Sequence, residues 1–336
     1  MNPKSKATHR LCLPQRALYC AAALPLCGFY AAPLWAQAYP SKPIRFIVGF
    51  AAGGGNDMIA RTLGQKLTES TGQQVIVDNR PGSAGIVAAV ITTKAPPDGY
   101  TLFAGSISTL ATNVSMYRKL PYDPLRDFVP VTTTTLSPYL FTVHPAVKAT
   151  TLKEFIALAK AAPGRINYAS AGSGSGNHLS QELFKVMAGI DMVHVPYKGA
   201  AGQITAMLGG EVQMSCIQVQ VALTQVRAGR LRALGVTGAQ RLAIAPEVPT
   251  IAEAAIAGFE AISWQGVVVP AGTPRAVVQR LHGEIATALQ APDVQKRLSA
   301  EGTASGGITP ETFATFIRSE ITKWAKVVKI AGAKAD

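Results

Sequence analysis

Two short stretches of the chain carry residue types that can hold an anion without a charged side chain. The first is Phe50-Ala51-Ala52-Gly53-Gly54-Gly55-Asn56, followed by Asp57; the second is Gly172-Ser173-Gly174-Ser175-Gly176-Asn177-His178. Each follows an apolar run and precedes a helical apolar pattern, so each reads as strand, glycine turn, helix start. The N–H groups at a helix start have no partner inside the helix, and the helix dipole favours negative charge there. Glycine lets backbone approach a ligand closely, while Ser and Asn add neutral donors. Asp57 is expected to pair with its own helix N-terminus rather than touch the anion.

Motifs for catalysis or cofactor binding are not met. A dinucleotide turn needs G-x-G-x-x-G after its strand, which neither Gly49 with Gly53–Gly55 nor Gly172, Gly174 and Gly176 supplies. A phosphate loop needs Lys-Ser/Thr where this chain has Gly55-Asn56, and no G-x-S-x-G elbow occurs. His144, His178, His194 and His282 contain no pair at zinc-motif spacing. Each reads as structural, although His178 and His194 flank the suspected cleft loops. Cys216 reads as a small buried apolar residue. No cofactor, metal or enzymatic activity is expected. The competing reading, an exported two-lobed α/β enzyme acting on a small anion, would need a nucleophile–base pair or a metal cluster.

The elements that must position these turns alternate along the chain, which argues for α/β layers. Strands are expected at 44–49, 74–78, 100–105, 139–143, 166–169, 192–195, 212–217, 231–236 and 266–269. Helices are expected at 57–69, 86–94, 151–161, 178–187, 203–208 and 222–228. Thr151-Leu152-Lys153-Glu154 and Thr250-Ile251-Ala252-Glu253 are capping boxes. Thr273-Pro274 and Thr309-Pro310 each read as cap plus first helical residue. The last helix sets Phe313, Phe316, Ile317, Ile321, Trp324 and Val328 on one face, a core stripe. Residues 106–109 read as a polar loop. Two glycine turns in separate blocks suggest two lobes facing a common cleft, with the C-terminal elements returning to the first.

Composition bounds the class. The chain has 336 residues, 48% hydrophobic and 15% charged, which suits packed globular domains. Residues 1–38 are expected to be a removed secretory signal: Lys4, Lys6, Arg10 and Arg16 precede an apolar run that ends in Ala36-Gln37-Ala38. Removal leaves 28 basic against 19 acidic residues, a net charge of +9. Of four cysteines only Cys216 would remain, so a hydrophobic core rather than disulfides must hold the fold. The basic residues are scattered without runs, which argues against nucleic acid and leaves attraction of small anions.

Several spaced motifs resemble the Bug-type extracytoplasmic solute receptors, the binding proteins of tripartite tricarboxylate transporters. They are Tyr39-Pro40-Ser41-Lys42-Pro43-Ile44-Arg45, Gly53-Gly54-Gly55-Asn56-Asp57 with Ala60-Arg61, Val77-Asp78-Asn79-Arg80-Pro81-Gly82, Pro97-Asp98-Gly99-Tyr100, Leu120-Pro121-Tyr122-Asp123-Pro124, His194-Val195-Pro196-Tyr197-Lys198-Gly199 and Leu208-Gly209-Gly210-Glu211-Val212. The likeness covers essentially the whole mature chain. It implies a type II periplasmic-binding-protein fold: an α/β chain of two lobes with two hinge crossovers, residues 39–138 plus 263–336 and residues 139–262. It also implies a monomeric periplasmic receptor that captures a small organic carboxylate and presents it to membrane transport subunits or a sensor. By that resemblance the ligand-binding set is Phe50, Ala52, Gly53, Gly54, Gly55, Asn56, Ser106, Ser108 and Thr109 from the first lobe. The second lobe adds Ser173, Gly174, Ser175, Asn177, His178, Tyr197, Lys198, Gly199 and Cys216. This chain departs from many relatives in having Asn56 for Thr and Ser215-Cys216 for Phe-Asp. Losing that acid favours a carboxylate without a positive charge, such as a dicarboxylate or an aromatic acid.

Overall fold

A computed structural model describes residues 39–197 and 199–333. The expected signal segment and Lys198 lie outside the described residues. From Ile44 onward strands and helices alternate, as the apolar periodicity requires. β1 (Ile44–Val48) leads through the first glycine turn into α1 (Gly55–Thr71), and β2 (Val75–Asn79), α2 (Ile86–Thr93) and β3 (Thr101–Ser106) follow. The 106–109 stretch expected as a loop instead enters a π-helical turn, Ser108–Thr112, continued by α3 (Asn113–Met116). Its buried Thr109, Leu110 and Ala111 explain the helical form: the segment sits in the core, where its backbone must bond to itself.

The strand expected at 139–143 is the second part of a 16-residue strand, β4 (Phe128–Val143). Pro138 lies where the strand changes partners. Residues 128–138 pair antiparallel with β9 (Ile262–Pro270). Residues 139–143 pair antiparallel with β7 (Met214–Gln218), and residues 140–143 also with β8 (Arg232–Val236). Between them stand α4 (Leu152–Ala161), β5 (Asn167–Ser170), α5 (Gly176–Ala188), β6 (Val193–Pro196), α6 (Ala200–Leu208), α7 (Val219–Arg227) and α8 (Ile251–Ala254). The sheet order is β2-β1-β3-β9-β4-β7-β5-β6. The β1–β2, β1–β3, β5–β6 and β5–β7 ladders are parallel, while β9 and β4 run against their neighbours. Both glycine turns thus leave the carboxyl ends of parallel strands, where open α/β sheets present ligand loops.

The chain closes with α9 (Arg275–Gln290), α10 (Pro292–Ala300), the short β10 (Ala304–Ser305) against β4, and α11 (Pro310–Ala331). Both capping boxes form. Thr309 caps α11 by accepting from Thr312 N–H. Thr273 does not cap α9: its hydroxyl donates to Pro270 O, and Pro274 stands at the cap position. The expected stripe on α11 is core. Phe313, Ile317 and Trp324 are buried, Phe316 and Ile321 pack against the same cluster, and the indole N–H groups of Trp264 and Trp324 both donate to the buried Glu320 carboxylate, at 2.7 and 2.9 Å.

Candidate functional site

The first turn is held open by Asp57. This residue is 2% exposed. Its carboxylate accepts from Gly53 N–H at 2.8 Å, Arg61 Nε at 2.9 Å and Asn79 Nδ2 at 2.9 Å. Burial alone would raise its pKa, but the bonds from Arg61, Gly53 and Asn79 outweigh that and hold the carboxyl below its usual range. Asp57 therefore ties the turn to α1 and β2, with its charge spent away from any ligand. Gly53 has φ +84°, the left-handed region that glycine tolerates. The N–H groups of Gly54, Gly55 and Asn56 bond to no described residue. Ala52 and Gly53–Gly55 are exposed, and Asn56 reaches Ala104 O through Nδ2 at 3.4 Å. Phe50 accepts from Asn79 at its carbonyl, and its ring lies against Gly85, which also packs on Thr109.

Ser106 and Thr109 are buried and satisfy one another: Ser106 N–H donates to Thr109 Oγ1 at 2.9 Å. Ser108 is half-buried and carries no hydroxyl partner among the described residues. Of these three residues, it alone has a side chain left for a ligand.

The second turn is built with the same economy. Ser175 caps α5, its Oγ accepting from His178 N–H and donating to Gly172 O. Asn177 points inward, with Nδ2 donating to Gln203 Oε1 at 3.0 Å and to Cys216 O at 3.3 Å. Gln203 in turn donates to Ser215 Oγ and Cys216 O, and Gln181 bonds Ala169 O and Cys216 N. This buried amide network locks α5 to β5 and β7, so Asn177 contributes through its position. The N–H groups of Ser173, Gly176 and Asn177 bond to no described residue. His178 is 4% exposed, and its Nδ1 accepts from Gly174 N–H at 3.1 Å. Burial lowers its pKa from 6.5 to about 4, keeping the ring neutral.

The two turns are linked through the segment after β3, whose Thr109 packs on Gly85 beside Phe50. A Cβ on Gly176 would meet Tyr139 Oη and Ile107, and one on Gly174 would meet Met116. The second turn thus rests on the 107–116 segment that follows β3. Gly199 N–H donates to Ala171 O, bringing the turn after β6 alongside. Tyr197 sends its hydroxyl to Glu211, so its ring is engaged within its own segment. Cys216 is 1% exposed in the core cluster, and burial pushes its thiol up. Its carbonyl and N–H serve the amide network, whereas its side chain faces packing.

A cavity of about 360 Å³ opens beside Gly53–Gly55, with Ala200, Gln218, Ser263 and Gln265 among its walls. Ser263 and Gln265 were not singled out by sequence. The Gln265 Oε1 atom is shielded from solvent and unpartnered, and Nε2 lies 3.3 Å from where a Gly55 Cβ would stand. Two alternating polar residues, Ser263 and Gln265, in the strand that runs on into Val267–Val269 were the available signal. No group of His, Cys, Asp and Glu among the described residues could hold a metal. No described helix is long and apolar enough to cross a membrane.

Comparison with known proteins agrees with this architecture. The chain matches the model of the family described as "Tripartite tricarboxylate transporter family receptor" over residues 59–333. It is 38% identical over 305 residues to the protein BugT of Bordetella pertussis, covering 90% of this chain and 94% of that one. A solved R. palustris protein with adipate superposes with a TM-score of 0.79 at 36% identity, over 88% of this chain and 99% of that one. MatC from Rhodopseudomonas palustris, with bound malate, gives 0.74 at 31% identity, over 86% and 100%.

Proposed function

The chain belongs to the tripartite tricarboxylate transporter receptor family, and from that premise we propose that it is a periplasmic receptor capturing a small organic carboxylate between two lobes. The lobes are residues 39–138 with 263–336, and residues 139–262, hinged where β4 and β9 pass between them. A secretory signal in residues 1–38 would deliver the chain, which acts as a monomer and presents its ligand to transport subunits or a sensor. The observation that carries this reading is the pair of turns with unpartnered N–H groups at the starts of α1 and α5. Six such groups, from Gly54, Gly55 and Asn56 and from Ser173, Gly176 and Asn177, match the acceptor-only character of a carboxylate.

The ligand carries no ammonium group. Asp57, the acid nearest the first turn, is spent on Arg61, Gly53 and Asn79, and the buried Cys216 presents no acid to the cleft. The structural neighbours with adipate and malate support a dicarboxylate. A thermal-shift panel of mono-, di- and tricarboxylates against the purified protein tests this. At least one dicarboxylate is expected to raise the melting temperature in a concentration-dependent way, with aspartate and glutamate weaker. A flat response across the panel would remove the carboxylate reading.

A further inference from the structure

The support of the second turn contains two histidines that the anion grip does not itself require. His178 on α5 and His194 on β6 stack with ring centroids 3.9 Å apart, and Tyr168 on β5 lies 5.0 Å from His194. His178 Nδ1 accepts from Gly174 N–H at 3.1 Å. His194 Nε2 lies 2.7 Å from Ser170 Oγ, which accepts from Gly172 N–H at 3.1 Å. Each of two glycines in the turn is thus tied to one ring of the stack, directly or through a serine.

We propose that His178 is a positioning residue, fixing Gly174 only as a neutral ring with His194 stacked behind it, so that acid loosens the grip on the anion. This rests on the receptor reading above. A neutral His178 that accepts at Nδ1 carries its proton on Nε2. The second proton must therefore take the Nδ1 lone pair that Gly174 N–H now uses. Two N–H groups then face each other, and the glycine has to leave.

The surroundings keep the rings neutral. The charged and titratable groups packed against them are Tyr168 from β5, Glu182 and Lys185 from α5, and each other. Glu182 is already committed to the Tyr168 hydroxyl and to Lys185 Nζ at 3.1 Å, so it opposes the lowering at His194 only in part and does not act on His178. Burial is the main cause of the lowered values, both about 4. His178 depresses His194, Glu182 opposes this in part, and the Lys185 charge depresses both rings.

The experiment is a pH titration of ¹H–¹⁵N and histidine-ring NMR signals in the purified protein and in His178→Asn. The Asn Oδ1 atom can stand where Nδ1 stands, accepting from Gly174 without titrating. In the unsubstituted protein the Gly174 amide is expected to shift with the same midpoint as the His178 ring, near 4. In His178→Asn the amide stays in place. A Gly174 amide that ignores the ring titration, or a ring titrating near an ordinary histidine value, overturns the proposal. If the variant does not fold, the ring and amide signals of the unsubstituted protein decide alone.

Binding is read in parallel with butane-1,4-disulfonate, whose charge does not change in this range. Its affinity is expected to fall about tenfold or more on acidification, and by no more than about threefold in the variant. An equal loss in both overturns the proposal. If neither the disulfonate nor any dicarboxylate binds at neutral pH, the receptor reading falls, while the amide titration still decides the role of His178.

Discussion

Asp57 shows how a charge can shape the proposed anion site without facing the ligand. Three donors neutralise it inside the protein, so it shapes the turn whose outward N–H groups remain unbonded. Asp57→Ala would strip these donors of their partner and cost about 1–3 kcal/mol, measurable by urea unfolding, together with weaker carboxylate binding. Unchanged stability would show that the turn holds itself. The two buried histidines make a second prediction at this scale. Their folded values, about 4, lie below 6.5, so the unfolded chain binds more protons between those limits. Their contribution is complete above about 6.5, declines as pH falls and is gone near 4. Replacing one ring by Asn should reduce the slope of stability against pH by up to about 1.4 kcal/mol per pH unit in that window. An unchanged slope would mean that the ring already titrates normally. At this scale the sequence was informative about backbone and poor about side chains. Glycine spacing marked both turns, but nothing in it said that Asn177, His178, Ser106 and Thr109 would turn inward, because their partners Gln203, Gly174 and one another are settled by packing.

The elements do the positioning, and their starts were easier to read than their ends. Capping boxes at Thr151 and Thr250 depend on residues three apart, so they were legible. β4 was not: only 139–143 read as strand, whereas the strand begins at Phe128 and runs on by exchanging β9 for β7 and β8 as neighbours. The 106–109 stretch was misread because its serines and threonine suggested a polar loop, yet it enters a buried helical turn, Ser108–Thr112. Gly85 is the close contact that lets this segment meet the first turn. Its φ is +86°, and an added Cβ would lie 2.5 Å from Thr109 Cγ2. Gly85→Ala should therefore cost about 2–4 kcal/mol and weaken binding by displacing Ser108 and Phe50. A neutral outcome in thermal unfolding would contradict that packing. On α11, Glu320→Ala leaves two buried indole N–H groups without an acceptor, for an expected loss of about 2–5 kcal/mol. A tryptophan fluorescence shift should accompany it.

At the scale of the whole molecule, the alternation of strands and helices was enough for the α/β class, while the receptor family was legible only in the spaced motifs from Tyr39-Pro40 to Gly210-Glu211. Which helix starts meet, and over which segments, depends on long-range pairing through β4 and β9 that local patterns do not encode. The receptor reading requires that both turns hold one anion together. It is tested most directly by titrating the ¹⁵N-labelled protein with the tightest-binding dicarboxylate and following its amides. The account predicts that Gly54, Gly55 and Asn56 and Ser173, Gly176 and Asn177 shift together, saturably and with one dissociation constant. Shifts confined to one turn, or centred away from both turns on the groove beside Thr151, Arg232 and Pro249, would contradict it.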